Sequence, residues 1–183
     1  MPEPYKFIGG NKNYTLTITI VNPKQWDMWE GVESIFMENF KTLFKYAVYD
    51  ANRYLIRITP MLTGRLRGGW TSFLDKHNED YTAAFADVSL VEGHSEPLSN
   101  EAIEEGKALS TFEETDFVVS LMNAVEYADY VDSGTSVMDA RNFTAKALYK
   151  FEFILKRYLE QWDTKCSEEG VISSPEHLEE VQA

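Results

Sequence analysis

Three histidines, His77, His94 and His177, are the first residues to weigh for catalysis. Each falls in a polar loop or tail, and none has a second histidine or a cysteine at ligand spacing. Catalytic and metal roles need such a cluster. All three therefore read as surface histidines. Glu101, Glu104 and Glu105 share one helical turn and could hold a divalent cation. Calcium and magnesium sites, however, usually draw their oxygens from separate segments or a dedicated loop, so a solvated acidic face is the better reading. Ser133-Gly134 lacks the flanking residues of a nucleophile elbow. Gly64, Gly68 and Gly69 lack the spacing of a phosphate-binding loop and the lysine that follows it. Cys166, the single cysteine, cannot close an internal disulfide. No catalytic residue, metal or cofactor is expected. The alternative from the enzyme class is a small metal-dependent hydrolase built on Glu101, Glu104 and His94.

Arg65 and Arg67 carry more information. In a strand they would share a face, because side chains alternate with period two. They could contact DNA in a channel, pair with carboxylates of an acidic neighbouring subunit, or line a solvated face. Two arginines cannot offset the repulsion of so acidic a chain for nucleic acid, which favours the ion pairs over DNA contact. Trp26, Trp29, Trp70 and Trp162 fit a core or its edges, or the anchors of a protein interface, where Trp, Tyr and Arg are enriched. Tyr127 and Tyr130 are ambiguous in the same way.

Seventeen Lys and Arg against thirty Asp and Glu leave a net charge of −13. That disfavours wrapping of DNA or RNA, which needs phosphate-neutralising cations. It would suit a tube through which DNA slides without sticking, or it only keeps the protein soluble. Hydrophobic residues at 44% and aromatics at 14% supply a core, and 183 residues make one domain that buries roughly two thirds of its unfolded surface. No apolar stretch reaches membrane-spanning length and no cleavable signal precedes Tyr5-Lys6-Phe7, so a soluble cytoplasmic protein is expected.

The elements follow from periodicity. Tyr14 to Val21 alternates apolar residues with threonines, a strand with one buried face. Lys6-Phe7-Ile8 could be its hairpin partner across Gly9-Gly10-Asn11-Lys12-Asn13. Asn22-Pro23-Lys24-Gln25 opens a helix. Trp29, Val32, Phe36, Phe40, Leu43, Ala47, Ala51 and Leu55 mark its apolar face, and Pro60 ends it near Ile58. A helix of that length spans about 50 Å. Leu66 to Leu74 and Tyr81 to Leu90 look like strands joined through Asp75 to Asp80. A loop with Gly93 and Pro97 follows, and Ser99-Asn100-Glu101 opens a short acidic helix containing Ile103, Lys107 and Leu109. Phe117 to Met122 is an apolar, central strand. Tyr127 to Val131 continues it or forms a helical turn. Arg141 to Trp162 is a helix with Asp139 as a plausible cap and Phe143, Ala147, Phe151, Ile154, Leu155, Tyr158, Leu159 and Trp162 as its buried stripe. The expected fold is α+β. A mostly antiparallel sheet is packed by a long N-terminal and a long C-terminal helix, with a hairpin arm over 1–22. A single domain covers 1–163 and an acidic tail 164–183, the tail holding Glu168, Glu169, Glu176, Glu179 and Glu180.

Three segments stand out against that frame: Thr59-Pro60-Met61-Leu62-Thr63-Gly64-Arg65-Leu66-Arg67-Gly68-Gly69-Trp70, then Asn123 to Thr135 with Tyr127-Ala128-Asp129-Tyr130-Val131 and Gly134-Thr135, then Asp139-Ala140-Arg141-Asn142-Phe143. Their order and spacing over roughly Trp26 to Trp162 resemble a tail-completion (neck) family of tailed bacteriophages. That family carries TP-x-x-TG-x-L-R-x-S/G-W, N-x-x-x-YA-x-Y-V-E-x-GT and A-R-P-F-x-x-x-A-L. Here Asn142 replaces the frequent proline, Asp132-Ser133 replaces an acidic-aromatic pair, and Val91 to Glu114 looks like an insertion. The resemblance implies a structural protein of the virion neck, with no enzymatic turnover, assembled in the host cytoplasm. A ring of six or twelve copies would surround the DNA channel, and DNA would pass without specific binding. The implied partners are other copies, portal-proximal connector proteins and tail tube or terminator proteins, with no membrane involved. The implied contact residues are Arg65, Arg67, Trp70, Tyr127, Tyr130, Thr135, Arg141 and Phe143. A tail terminator, a head-closure connector, or an interaction module unrelated to virions are the other non-enzymatic readings.

Overall fold

One long helix, α1 (Val32–Ile58), is the spine of the molecule. The computed structural model describes residues 8–10, 13–19, 32–60, 64–86 and 99–169, with side chains over 36–60, 64–85 and 99–164. Trp26, Trp29, His94, His177, the Asn22 cap and residues 170–183 lie outside them. On α1 the expected row Leu43, Ala47, Ala51 and Leu55 is buried, and so is the adjacent row Phe44, Val48, Asn52 and Ile56. Two buried rows mean two packed flanks. One takes α7 (Phe143–Glu169), which runs antiparallel to α1. Phe36 meets Trp162 at 4.9 Å and Phe44 meets Phe151 edge-on at 5.7 Å. The helix α7 continues to Glu169, so the expected boundary after residue 163 falls inside an element.

The other flank takes short helices, and here the structure corrects the sequence reading. Residues expected as two strands form α2 (Arg65–Gly68), α3 (Ser72–Lys76) and α4 (Thr82–Ala86). Successive turn bonds run from Gly68 N–H to the Gly64 carbonyl and from Thr71 N–H to the Gly68 carbonyl. The buried residues Leu66, Trp70, Phe73 and Leu74 have helical spacing, which the two glycines between them obscure. Asp80 starts α4 by accepting the Thr82 N–H at 2.9 Å. Helix α5 (Asn100–Ala108) is capped by Ser99, whose hydroxyl accepts the Ala102 N–H at 3.2 Å.

The sheet has the order β1-β2-β4-β3, every pair antiparallel. Its strands are β1 (Ile8–Gly10), β2 (Asn13–Thr19), β3 (Ser110–Thr115) and β4 (Val118–Asn123). β4 lies inside the sheet, and Val119, Leu121 and Asn123 alternate into the core. β2 is hydrogen-bonded to β4 from Tyr14↔Asn123 to Thr19↔Val118, which makes it part of the sheet. β1 pairs through Gly9 and Gly10, residues expected as turn. β3 was expected within an insertion. Its run Ser-Thr-Phe-Glu-Glu-Thr has only one apolar side chain, Phe112, which packs on Phe73 at 5.4 Å. The last short element is α6 (Ala128–Ser133). The chain is thus mixed helix and antiparallel strand, as α+β requires.

Polar staples fix the short helices. Asp75 on α3 accepts from Tyr81 at 2.6 Å and from Lys107 of α5. Glu114 of β3 binds His77 at 2.9 Å and Lys45 of α1 at 3.0 Å. Burial pushes both carboxyls up, but these donors outweigh it and hold Asp75 and Glu114 below their ordinary values of 3.8 and 4.5. Depressed folded values stabilise the fold fully above those ordinary values, and the contribution is lost as pH falls through the folded ones. Unfolding stability should therefore drop on acidification below this range, and Asp75→Asn should flatten that drop in denaturant titrations across pH. Helices α2 and α5 cross at glycine. A Cβ on Gly106 would stand 1.8 Å from the Arg65 carbonyl oxygen, and one on Gly68 2.2 Å from that of Ile103. Gly106→Ala should separate the two helices and lower the melting temperature, whereas Ala108→Gly at the exposed helix end should cost about 1 kcal/mol or less.

Candidate interaction surface

The eight candidate contact residues divide into a buried set and an exposed set. Arg67 is 3% exposed. Its guanidinium donates to the Thr59 carbonyl at 2.7 Å, the Arg57 carbonyl at 2.8 Å and the Ala84 carbonyl at 3.3 Å. The first two are carbonyls at the C-terminus of α1, where helix groups lack intrahelical donors and cations are favoured. Arg67 is therefore a cap on α1 and a tie to α4. Trp70 is buried with its ring 6.3 Å from Phe143, edge to face. Both belong to the core. The shared strand face expected for Arg65 and Arg67 does not exist, because residues two apart on a helix point to different sides.

The second segment is locked to the first. Asn123 donates from its amide to the Leu66 carbonyl at 3.0 Å and accepts the Val125 N–H at 3.1 Å. Asp132 on α6 in turn caps α7: it accepts the Thr144 N–H at 3.3 Å and the Thr144 hydroxyl. It takes the role expected of Asp139, which is exposed. Asn142, just before α7, has φ 52°, a left-handed value that Asn tolerates and that proline, fixed near −65°, cannot adopt. The three segments, the first distant in the chain from the other two, meet in one knot whose polar ties Asn123 and Asp132, like the Arg67 cap, are buried. Sequence reasoning missed Asn123 and Asp132 as cross-segment ties. Asn123 offers a signal, a lone polar residue between Leu121-Met122 and Ala124-Val125, whereas Asp132 beside Ser133 offers none.

The knot presents a corner to solvent. With Ala128 and Asp132 buried, α6 turns Tyr127 and Tyr130 outward, and Tyr130 is 61% exposed. Gly134 has φ 79°, where a side chain would be strained, and starts a tight turn closed by Thr135 N–H to the Met138 carbonyl at 2.8 Å. At its tip Val137 is 95% exposed. Thr135 and Arg141 flank it in the open. Arg65, the half-buried member of the arginine pair, stands 3.6 Å from Glu105 and 3.4 Å from Glu126 of its own chain, so it orients this edge from within. Val137 was not among the expected contact residues. A lone valine in a turn carries no periodic signal.

Among the described residues no group of three His, Cys, Asp or Glu side chains could hold a metal ion, and no helix is long and apolar enough to cross a membrane. Glu101, Glu104 and Glu105 are exposed on α5. Comparison with protein-family models, with curated proteins and with solved structures finds no match.

Burial separates the two sets by stability. Trp70→Ala should cost about 3–5 kcal/mol in chemical denaturation, whereas Tyr130→Ala should stay within about 0.5 kcal/mol of the parent.

Proposed function

We propose that this chain is a structural protein of a tailed-phage neck, completing the tail or joining it to the head as a ring of six or twelve copies, without enzymatic turnover. One observation carries the reading. The three segments whose order resembles the neck family are in direct contact: the second holds the first through Asn123 and the third through Asp132, and the first meets the third where Trp70 packs on Phe143. Arg67 ties the end of α1 to α4, Asn123 ties the second segment to Leu66, and Asp132 caps the helix that begins with the third. Segments joined in that way act as one unit, so their succession in the sequence has a common physical cause. The same unit holds Tyr127, Tyr130, Thr135, Val137 and Arg141 in one exposed corner, and solvent-facing aromatic and apolar residues of that kind mark protein contacts. The acidic balance of the chain agrees with a lumen that lets DNA pass.

The reading is tested by mixing purified chain with the portal-proximal connector and tail-tube proteins of the same genome and weighing the products. A multimer of the 21.0 kDa chain in complex with either partner is expected. Tyr130→Glu with Val137→Asp should abolish that complex while circular dichroism stays unchanged. A parent chain that ignores both partners would contradict the proposal.

A further inference from the structure

Charge on this chain is segregated. Between Arg141 and Arg157 stand five cations, Arg141, Lys146, Lys150, Lys156 and Arg157, against one carboxylate, Glu152, although the whole chain carries −13. Helical spacing puts Lys146, Tyr149, Lys150, Phe153, Lys156 and Arg157 on the side of α7 opposite its buried row of Ala147, Phe151, Ile154 and Tyr158. Tyr149 is 76% exposed and Phe153 48%. Lys150 Nζ lies 5.2 Å from the centre of the Phe153 ring and 5.6 Å from that of Tyr54 on α1, and the Arg57 guanidinium is 5.4 Å from the same Tyr54 ring. The result is a basic, aromatic stripe about 17 Å long.

The corner between α5 and α6 is its opposite. Glu101, Glu104 and Glu105 sit on one turn, with Glu126 just before α6 and Asp129 in its first turn, all exposed. Arg65 lies between Glu105 and Glu126, and Lys107 is turned away to Asp75. The two patches sit on different elements, since α7 packs on α1 and α5 packs on α2.

We propose that the α7 stripe docks on the acidic α5–α6 corner of a second copy of this chain. The charges are complementary, both patches reach solvent although Lys150 is half-buried and Lys156 faces Glu160 of its own helix at 4.0 Å, and Tyr149 and Phe153 supply the apolar centre that surface ion pairs alone would lack. Two different patches make the contact head-to-tail, so it repeats into a closed ring or a filament. A nucleic acid on the stripe would have to approach a strongly acidic molecule, which disfavours it. The contact rests on the assembly role proposed above, and names the surfaces that would build it.

Sedimentation velocity on the full chain tests it. Self-association is expected to weaken as salt is raised from about 0.05 M to about 0.5 M. Lys150→Glu with Arg157→Glu should weaken it at least about tenfold, and Glu104→Lys with Glu105→Lys should do the same. An equimolar mixture of the two variants should associate again, because the reversed charges match. Tyr149→Ala with Phe153→Ala should weaken association at every salt concentration, and circular dichroism should show every variant folded as the parent is. An oligomer that survives both charge reversals, or a mixture that stays dissociated, overturns the contact. A parent chain that is monomeric at all concentrations also overturns it. If that monomer still binds connector or tail-tube protein, the neck assignment stands without this contact, and if it binds neither, both fall. Binding of duplex DNA by the parent that Lys150→Glu with Arg157→Glu abolishes, without self-association, assigns the stripe to nucleic acid and overturns the proposal.

Discussion

The buried guanidinium of Arg67 is the interaction on which the rest of the architecture depends. A long helix that ends inside a protein leaves carbonyls without donors, and each costs free energy if left bare. Pro60 stops α1 at Ile58 and Thr59 is fully buried, so the end of the spine cannot turn to water. Arg67 solves this from eight residues beyond Thr59. Its fork satisfies two carbonyls of the α1 terminus and reaches Ala84 on α4 as well. Arginine suits the task because its charge persists at any accessible pH and its donors are fixed in a plane. Lysine could supply the charge but not the three-way geometry.

From that tie the remaining contacts follow in sequence. Fixing α2 places Leu66 where Asn123 binds it, which sets the end of β4 and the start of α6. Fixing α6 places Asp132 at the start of α7, and α7 returns along the whole of α1. Segments that looked like recognition motifs are therefore mostly scaffold. Their exposed members, Tyr130, Thr135 and Arg141, differ from their buried members only in which side of a short helix or turn they occupy.

How much of this was legible in the sequence depended on how much pattern each element carries. The helices α1 and α7 repeat an apolar face over many turns, and the break at Pro60 is chemical rather than statistical. The acidic helix announces itself through Ser99. The helices α2, α3 and α4 were misread as strands because each is about one turn long, too short for a period to emerge, and Gly68-Gly69 argues against helix locally. In fact Gly68, together with Gly106, lets the backbones of α2 and α5 touch, and Gly69 leaves room for the Asn123 side chain. β3 escaped notice because Phe112 is its one apolar residue, and its inward carboxylate Glu114 is held by Lys45 and His77 rather than by hydrophobic burial. The resemblance puts Arg67 and Trp70 among the contact residues, although the residue type of Trp70 fits a core as well as an interface. Nothing in one sequence distinguishes an arginine that caps a helix from one that meets a partner.

The central claim is that the knot keeps its motif residues inside and offers the corner from Tyr127 to Arg141 to other proteins. Hydroxyl-radical footprinting of the free chain and of its assembled complex tests this side chain by side chain. The account predicts strong labelling of Tyr130 and Val137 in the free chain and loss of that labelling on assembly, with Trp70 unlabelled in both. Unchanged labelling of Tyr130 and Val137 in the complex, or strong labelling of Trp70 in the folded free chain, would contradict it.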